Sequence, residues 1–450
     1  MALQFVLGTN SYDHQKKMVE ILKSQKKKYP NDKFFYLVPN HIKFESEIEI
    51  LKELSNPKKN VSAQTNIQIL SLPRLAWYFL RTTSIYQKQR ISPAGINMLL
   101  YQIIIDKKND LFLFNREAEL PGFLSQIAKQ ISIMKDGNVT ADDLIKINQN
   151  KKSGITNDLQ DKIHDFSIIY SEYTRRIESK YFDQTNVLNL LSDYLENHDM
   201  SRYHFFISGF SRFSGQENRL VKTLIQYSAS TTIALILNRE YTNGLPAKEN
   251  LFFKTAKLFN DLYRFAQNNH IKCLYSIKVN KLRVSPNISK LEKYWVQSTN
   301  FGRISADKNI SSNAIRIYQT DNLYSELDQV ATNIRHMVAS GKYRYSDFLI
   351  LTRNLDMYEN IFDPVFQNQE IPYFKDILKS MSNHPLVELI RSIFDIYNPE
   401  RKVNYRYDDV MRFLKTELVI PFDPNNKGVY ISLDDYRRDV WLTENLVLKN

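Results

Sequence analysis

Gly8, Asp13, His14 and Gln15 stand at the spacing of a phosphate-binding loop. They follow the apolar stretch LQFVL (3 to 7) and open a segment of helical period with Met18, Ile21 and Leu22 on one side. In a loop of the GxxxxGK[ST] type, a second Gly lets backbone N–H groups close on the phosphates, Lys neutralises them, and a Ser/Thr hydroxyl holds Mg²⁺. Counted from Gly8, those slots hold Asp13, His14 and Gln15. Asp13 sets a carboxylate where phosphate would lie, His14 is short and mostly neutral at pH 7, and Gln15 is a poor Mg²⁺ ligand beside water and phosphate. The loss recurs in HFFISGFSRFSGQE (204 to 217), where an ATPase carries an acidic pair at the strand tip to hold Mg²⁺ and polarise the attacking water. Ser208 and Gly209 occupy that tip, and Glu217 reads as a helix-start carboxylate. The frame of an ATPase is kept without its chemistry, so these residues assign no catalytic group and no metal site.

The elements that must position such loops are legible as alternation. Short runs rich in Val, Ile, Phe and Tyr alternate with longer segments of helical period, an α/β signature. Expected strands are LQFVL (3 to 7), FFYLV (34 to 38), IQIL (67 to 70), HFFIS (204 to 208), TIALIL (232 to 237), AIRIYQ (314 to 319) and DFLILT (347 to 352). Between them, GINMLLYQIII and GFLSQIAKQISIM have helical spacing and few strand candidates surround them. The division predicted is 1–80 plus 201–300 as a first lobe, 81–200 as a helical insertion, 310–395 as the start of a second lobe, and 396–450 as the start of a second helical insertion in a truncated chain. A polar, irregular stretch at 278 to 313 ends the first lobe. In the second, Leu323, Leu327, Val330, Ile334 and Val338 form one apolar stripe, and Pro399 marks a boundary.

With 450 residues the chain exceeds one ordinary domain. Its 43% hydrophobic and 24% charged content describes a soluble globular protein, and no apolar run of membrane-spanning length interrupts it, so a cytoplasmic chain without a membrane partner is expected. The single Cys273, in the strand-like HIKCLYSIKV, excludes an intrachain disulfide framework and a cysteine-built metal site within these residues, and reads as a buried thiol. A net charge of +12 suits a polyanionic partner. The densest run, KSQKKKYP (23 to 30), reads as the solvated end of a helix.

FVLGTNSYDH, FFYLVPNHIKFESEIEIL, IQILSLPRLAWYFL, HFFISGFSRFSGQE, YSELDQVATNIRHMVASGKYRYSDFLILTRN and IPYFKDILKSMSNHPLVELIRSIFDI, in this order and spacing, resemble the N-terminal part of the B subunit of AddAB/RexAB helicase–nucleases. The likeness is to RexB-type members, whose P-loop is commonly degenerate. It implies two RecA-like lobes of the superfamily 1 helicase kind with helical insertions, joined in the full-length protein to a nuclease domain. It implies an A-type motor subunit that uses ATP, duplex-end and single-stranded DNA as substrates, Mg in the full-length enzyme and, in some members, an iron–sulfur cluster, but no cofactor in this portion. The helicase-like part would guide the strand with the 3′ end and recognise the Chi sequence during repair of double-strand breaks.

In such lobes the loops PNHIKF and SLPRLAW line a groove for single-stranded DNA. Asn40, His41 and Lys43 offer contacts to bases or phosphates at a helix start. Arg74 and Trp77, three apart, share one helical face and supply a guanidinium fork and a flat indole. Each has an ordinary alternative: Trp77 as core, Arg74 paired to a nearby carboxylate, Lys43 solvated, His41 as a satisfied helix-start histidine. Phe210 and Phe213 either stack on bases or anchor their loop, with stacking favoured for Phe210. Family members commonly carry Gln where His41 stands, Thr where Lys43 stands and an aromatic where Leu72 stands, so the DNA word preferred here need not be theirs. Arg353 lies where helicases of this superfamily often hold a nucleotide-facing Arg, and reads here as structural or interfacial. The readings in competition are a passive strand-binding unit, an active ATPase with an atypical nucleotide site, and a scaffold that only docks the motor subunit.

Overall fold

Alternate residues of the first strand point to opposite sides: Leu3, Phe5 and Leu7 enter one buried cluster and Val6 another. This two-sided burial is what a parallel sheet covered by helices on both faces requires. The computed structural model describes residues 1–55, 66–120, 122–149, 156–298, 315–375, 381–398, 404–424, 426 and 428–449. They divide into two compact units, Met1–Arg316 and Ile317–Asn450.

The first unit begins with β1 (Ala2–Gly8), α1 (His14–Lys28), β2 (Lys33–Leu37), α2 (Lys43–Leu54), β3 (Ile67–Leu70) and α3 (Leu72–Leu80). A mostly helical excursion follows, through α4 (Ser84–Gln87), β4 (Gln89–Arg90), α5 (Pro93–Asp106), α6 (Phe123–Asp136), α7 (Ala141–Gln149), α8 (Asn157–Lys180), β5 (Tyr181–Phe182) and α9 (Val187–Glu196). The sheet resumes with β6 (Tyr203–Ile207), α10 (Gly215–Tyr227), β7 (Ser230–Ile236), α11 (Phe253–Asn268), β8 (Lys272–Cys273), β9 (Ile277–Lys278) and α12 (Pro286–Ser298). Strand order is β3-β2-β6-β7-β1-β8, with β9 also beside β1, and the pairings are parallel. Phe35, Phe205 and Leu235 bury with α3, α9, α10 and α11 on one face, while Phe34, Tyr36 and Phe206 bury with Met18, Val19, Leu22 and Ile50 on the other. The insertion has its own core around Leu100, Ile127, Ile131, Ile169 and Ile177.

The five strands expected in the first lobe appear within two residues of the expected limits. The stretch from 278 is more regular than its composition suggests. Pro286 opens α12, where its fixed φ suits a first helical turn, and the preceding Ser285 carbonyl accepts from Ser289 N–H at 3.1 Å. Cys273 lies on a two-residue strand, half-buried, with its thiol pKa pushed up by burial.

The second unit contains α13 (Leu323–Ala339), α14 (Glu359–Asn368), α15 (Pro385–Ile396), α16 (Tyr407–Leu414) and α17 (Leu433–Lys449). Most of the expected stripe packs together: Leu327 and Ile334 bury against Phe362, Val365 and Phe366 of α14, with Val330 and Val338 at the margin, while Leu323 is half-buried outside this cluster. The expected strands at 314 to 319 and 347 to 352 are not strands among the described residues; position 314 itself lies outside them. Ile317, Leu349 and Leu351 are instead 93%, 81% and 84% exposed. β-Propensity describes fitness for a pleated, half-buried surface and does not supply the neighbouring strand. Pro399 lies outside the described residues. No helix among the described residues is long and apolar enough to cross a membrane.

Candidate nucleic-acid interface

Ligands of open parallel sheets bind beyond the carboxyl ends of the strands, and the loops after β1, β2, β3 and β6 lie there. After β1, the loop is tied down by the chain itself. Thr9 Oγ1 donates to Glu292 Oε2 at 2.6 Å, and Ser11 N–H reaches the same carboxylate at 3.2 Å. Asp13 N–H donates to Lys281 O at 2.8 Å, Arg283 N–H to Ser11 O at 2.9 Å, and the Arg283 guanidinium to Asn10 O at 2.7 Å. Glu292, on α12, thus takes loop donors that a phosphate would need.

The degenerate slots have structural work of their own. Asp13 caps α1, accepting from Lys16 N–H at 3.0 Å. The His14 ring packs over Gly8, where an added Cβ would lie 3.2 Å from Nε2. Its Nδ1–H donates to Tyr12 O at 3.0 Å, Nε2 is buried without a hydrogen-bond partner, and burial lowers its pKa, so the imidazole is neutral at pH 7. Gln15 donates to Glu49 at 3.0 Å. Ser208 donates its backbone N–H to Leu37 O at 3.0 Å. Gly209 has φ +85°, and a Cβ there would meet Pro39 and Ile42 at 3.0 Å. Glycine is therefore dictated by the turn and by the close approach of the loop after β2. Glu217 completes a capping box with Ser214, as a helix-start carboxylate should. The loop and strand tip do not fit a bound ATP–Mg²⁺: the Thr9 hydroxyl and Ser11 N–H already meet Glu292, Asp13 N–H meets Lys281 O, and the slots carry neither the lysine nor the acidic pair.

The loops after β2 and β3 meet at a different place. Asn40, Arg74 and Trp77, all exposed, line one cavity of about 480 Å³ with Ser71, Tyr86, Arg90 and Gln184. Trp77 is not core: it is 39% exposed, with the Arg81 guanidinium 5.0 Å from its ring centroid. α3 places Leu75, Ala76, Phe79 and Leu80 inward, which leaves Arg74 and Trp77 on the outer face. Two guanidiniums and no carboxylate line the cavity, so an anionic, flat ligand suits it.

Other expected contacts separate from this group. Lys43 pairs with Glu47 at 2.8 Å, which spends its charge locally. His41 is exposed in the 3-10 turn Asn40–Ile42 and does not line the cavity. Phe210 is half-buried against the main core, its ring 5.2 Å from that of Phe213, and it too does not line the cavity. That packing is the anchoring alternative for both rings. Arg353 is exposed on the second unit. Sequence reasoning missed Glu292, Ser71, Arg90 and Gln184. The Ser-Pro pair at 285 and 286 was a signal for the helix carrying Glu292, whereas nothing local announces that Arg90 and Gln184 return to α3.

Residues 5–292 match the family model for the N-terminal region of ADDB. Over its whole length the chain is 44% identical to the B subunit of the ATP-dependent helicase/deoxyribonuclease of Levilactobacillus brevis. It is 38% identical to the protein of the same name from Latilactobacillus sakei and 34% identical to that from Enterococcus faecalis. The chain spans about 37% of the length of the first two relatives and 38% of the third.

Proposed function

Since the chain belongs to the ADDB N-terminal family, we propose that it is the strand-guiding, non-hydrolysing portion of a two-subunit ATP-dependent helicase/deoxyribonuclease. In this reading the first unit is a RecA-like lobe with a helical insertion, and the second unit begins another such lobe. An A-type partner supplies ATP-driven movement, and the assembly processes double-strand DNA ends in the cytoplasm for recombinational repair. The present portion holds the single strand passively. Basic side chains track the backbone, an indole offers a stacking surface, and a preferred word such as Chi slows passage by raising local affinity.

The observation that carries the reading is the cavity in which Arg74, Trp77 and Asn40 converge without a carboxylate. Support comes from the β1 loop, whose Thr9 and Ser11 donors are already taken by Glu292. That occupation disfavours the active-ATPase alternative, and the exposed Trp77 disfavours a scaffold that merely docks the motor. The test is anisotropy of a labelled single-stranded oligonucleotide titrated with the chain at several salt concentrations. Affinity is expected to fall as salt rises, and Arg74→Ala plus Trp77→Ala to weaken binding by about tenfold or more, since stacking alone is worth ~1–3 kcal/mol per base. Salt-independent binding, or a double variant indistinguishable from the parent, would refute the groove.

A further inference from the structure

Ser71 is fully buried, and its Oγ has no hydrogen-bond partner. It stands at the N-cap of α3, where a serine ordinarily accepts from a backbone N–H of the first turn, yet it makes no such bond. The same residue lines the cavity shared by Arg74 and Trp77. A buried hydroxyl without a partner costs stability unless something else satisfies it. The cavity that the residue lines is ligand-sized, and Ser71 lies at the positive end of a nine-residue helix.

The opposite wall comes from the insertion. Tyr86 and Arg90 approach from the α4–β4 segment, with the Arg90 guanidinium 5.5 Å from the Tyr86 ring centroid, and Gln184 approaches from just beyond β5. β4 and β5 pair with each other in parallel, Gln89 to Tyr181 and Arg90 to Phe182, so the two contributions are held together. The base beneath Gln184 is a buried polar network. Lys135 pairs with Asp183, Asp183 accepts from Thr185 N–H at 3.0 Å, and Gln216 Nε2 donates to Lys135 O at 2.7 Å and to Thr185 O at 2.6 Å. Gln216 belongs to α10 of the sheet, so this network fixes the insertion wall relative to the lobe wall.

We infer that the insertion is the second jaw of the site: Arg90 and Gln184, facing Arg74 and Trp77 with Ser71 at the floor, hold one nucleotide unit of the single strand between lobe and insertion. This rests on the strand-guiding reading and names the groups that grip. The two guanidiniums bracket a phosphate. The Ser71 hydroxyl, buried at the cavity floor and free to donate or accept, takes a sugar or phosphate oxygen when the strand's entry shifts the floor enough to uncover it, and the Gln184 amide offers the donor and acceptor pair that a base edge can distinguish. Trp77 provides the plane on which the base rests.

The test measures oligonucleotide affinity of the whole chain for Ser71→Ala, Arg90→Ala, Gln184→Ala and the Arg74→Ala plus Trp77→Ala double variant, each with a thermal melt. Arg90→Ala is expected to weaken all sequences about equally, by roughly tenfold, with a shallower salt slope. Gln184→Ala is expected to narrow the spread of affinities among homopolymeric strands of the four bases, as loss of a base-edge contact does. Ser71→Ala is expected to bind about threefold to tenfold less tightly while melting at or above the parent temperature, because it removes an unsatisfied buried hydroxyl. Parent-like binding by Arg90→Ala and Ser71→Ala, alongside loss in the double variant, would overturn the second jaw and leave the groove standing. Parent-like binding by the double variant as well would overturn both. Titration with free thymidine monophosphate and with ATP decides the source: a free nucleotide that displaces the strand at equal or lower concentration of sites would overturn the strand assignment, and its failure to compete supports it.

Discussion

Glu292 holds the loop after β1 in shape from within the chain. Its carboxylate is a permanent anion at the loop, accepting the Thr9 hydroxyl and the Ser11 N–H. Glu292→Ala leaves those donors in a half-buried place with less to bond. A loss of about 1–3 kcal/mol is expected, read as a melting temperature lower by about 1–2 °C for each kcal/mol in a unit of this size. Uncovering the loop does not restore chemistry, because the slots still hold Asp13, His14 and Gln15 and the strand tip still holds Ser208 and Gly209. Calorimetry with ATP and Mg²⁺, together with a phosphate-release assay on this variant, is expected to show no turnover. Release of phosphate that tracks the variant would contradict the non-hydrolysing reading proposed above. Residue types and spacing show which groups stand at Gly8, Asp13, His14, Gln15, Ser208 and Gly209. The structural roles of these residues were not legible: that His14 packs over Gly8, and that Pro39 and Ile42 crowd the place of a Cβ on Gly209, are contacts between segments distant in sequence or set by the loop's turn.

At the scale of elements, the point where the insertion meets the sheet decides the geometry of the cavity. Gly215 begins α10, and an added Cβ would stand 2.3 Å from Gly137 O. Helix propensity alone would have Ala in place of Gly stabilise a helix by about 1 kcal/mol. The contact reverses that sign, since a backbone carbonyl has to move and overpacking costs about 1–3 kcal/mol. Gly215→Ala is therefore expected to lower stability in a urea titration and, by displacing the Gln216 network, to weaken oligonucleotide binding without touching a cavity residue. A stabilised variant with parent-like affinity would show that the insertion and the lobe are not held in register there. The five strands of the first lobe were readable because each is a short apolar run bounded by turn residues and buried on both faces. β4 and β5 were not, because two-residue pairings leave no periodicity to detect, and they are the elements that bring Arg90 and Gln184 back to α3.

The distribution of buried residues over the whole chain argues that the first unit carries its own stability. The two clusters on either face of the sheet and the insertion core all fall within Met1–Arg316, as do Glu292 and every residue of the cavity. Among the described residues the second unit has a small cluster around Leu327, Phe362 and Phe366, and it leaves Ile317, Leu349, Leu351 and Phe374 at 93%, 81%, 84% and 90% exposure. Exposed apolar segments with strand propensity and no paired neighbour favour association. A polypeptide of residues 1–298 is accordingly expected to unfold cooperatively and to bind single-stranded DNA within about twofold of the whole chain, because nothing in the cavity is removed. A polypeptide of residues 315–450 is expected to bind a hydrophobic dye strongly and to sediment as an associating species. Both are checked by circular dichroism melts, dye fluorescence and analytical ultracentrifugation. Loss of DNA affinity in the folded 1–298 polypeptide would place the decisive contacts in the second unit, and the cavity beside α3 would then be a consequence of packing rather than the seat of binding.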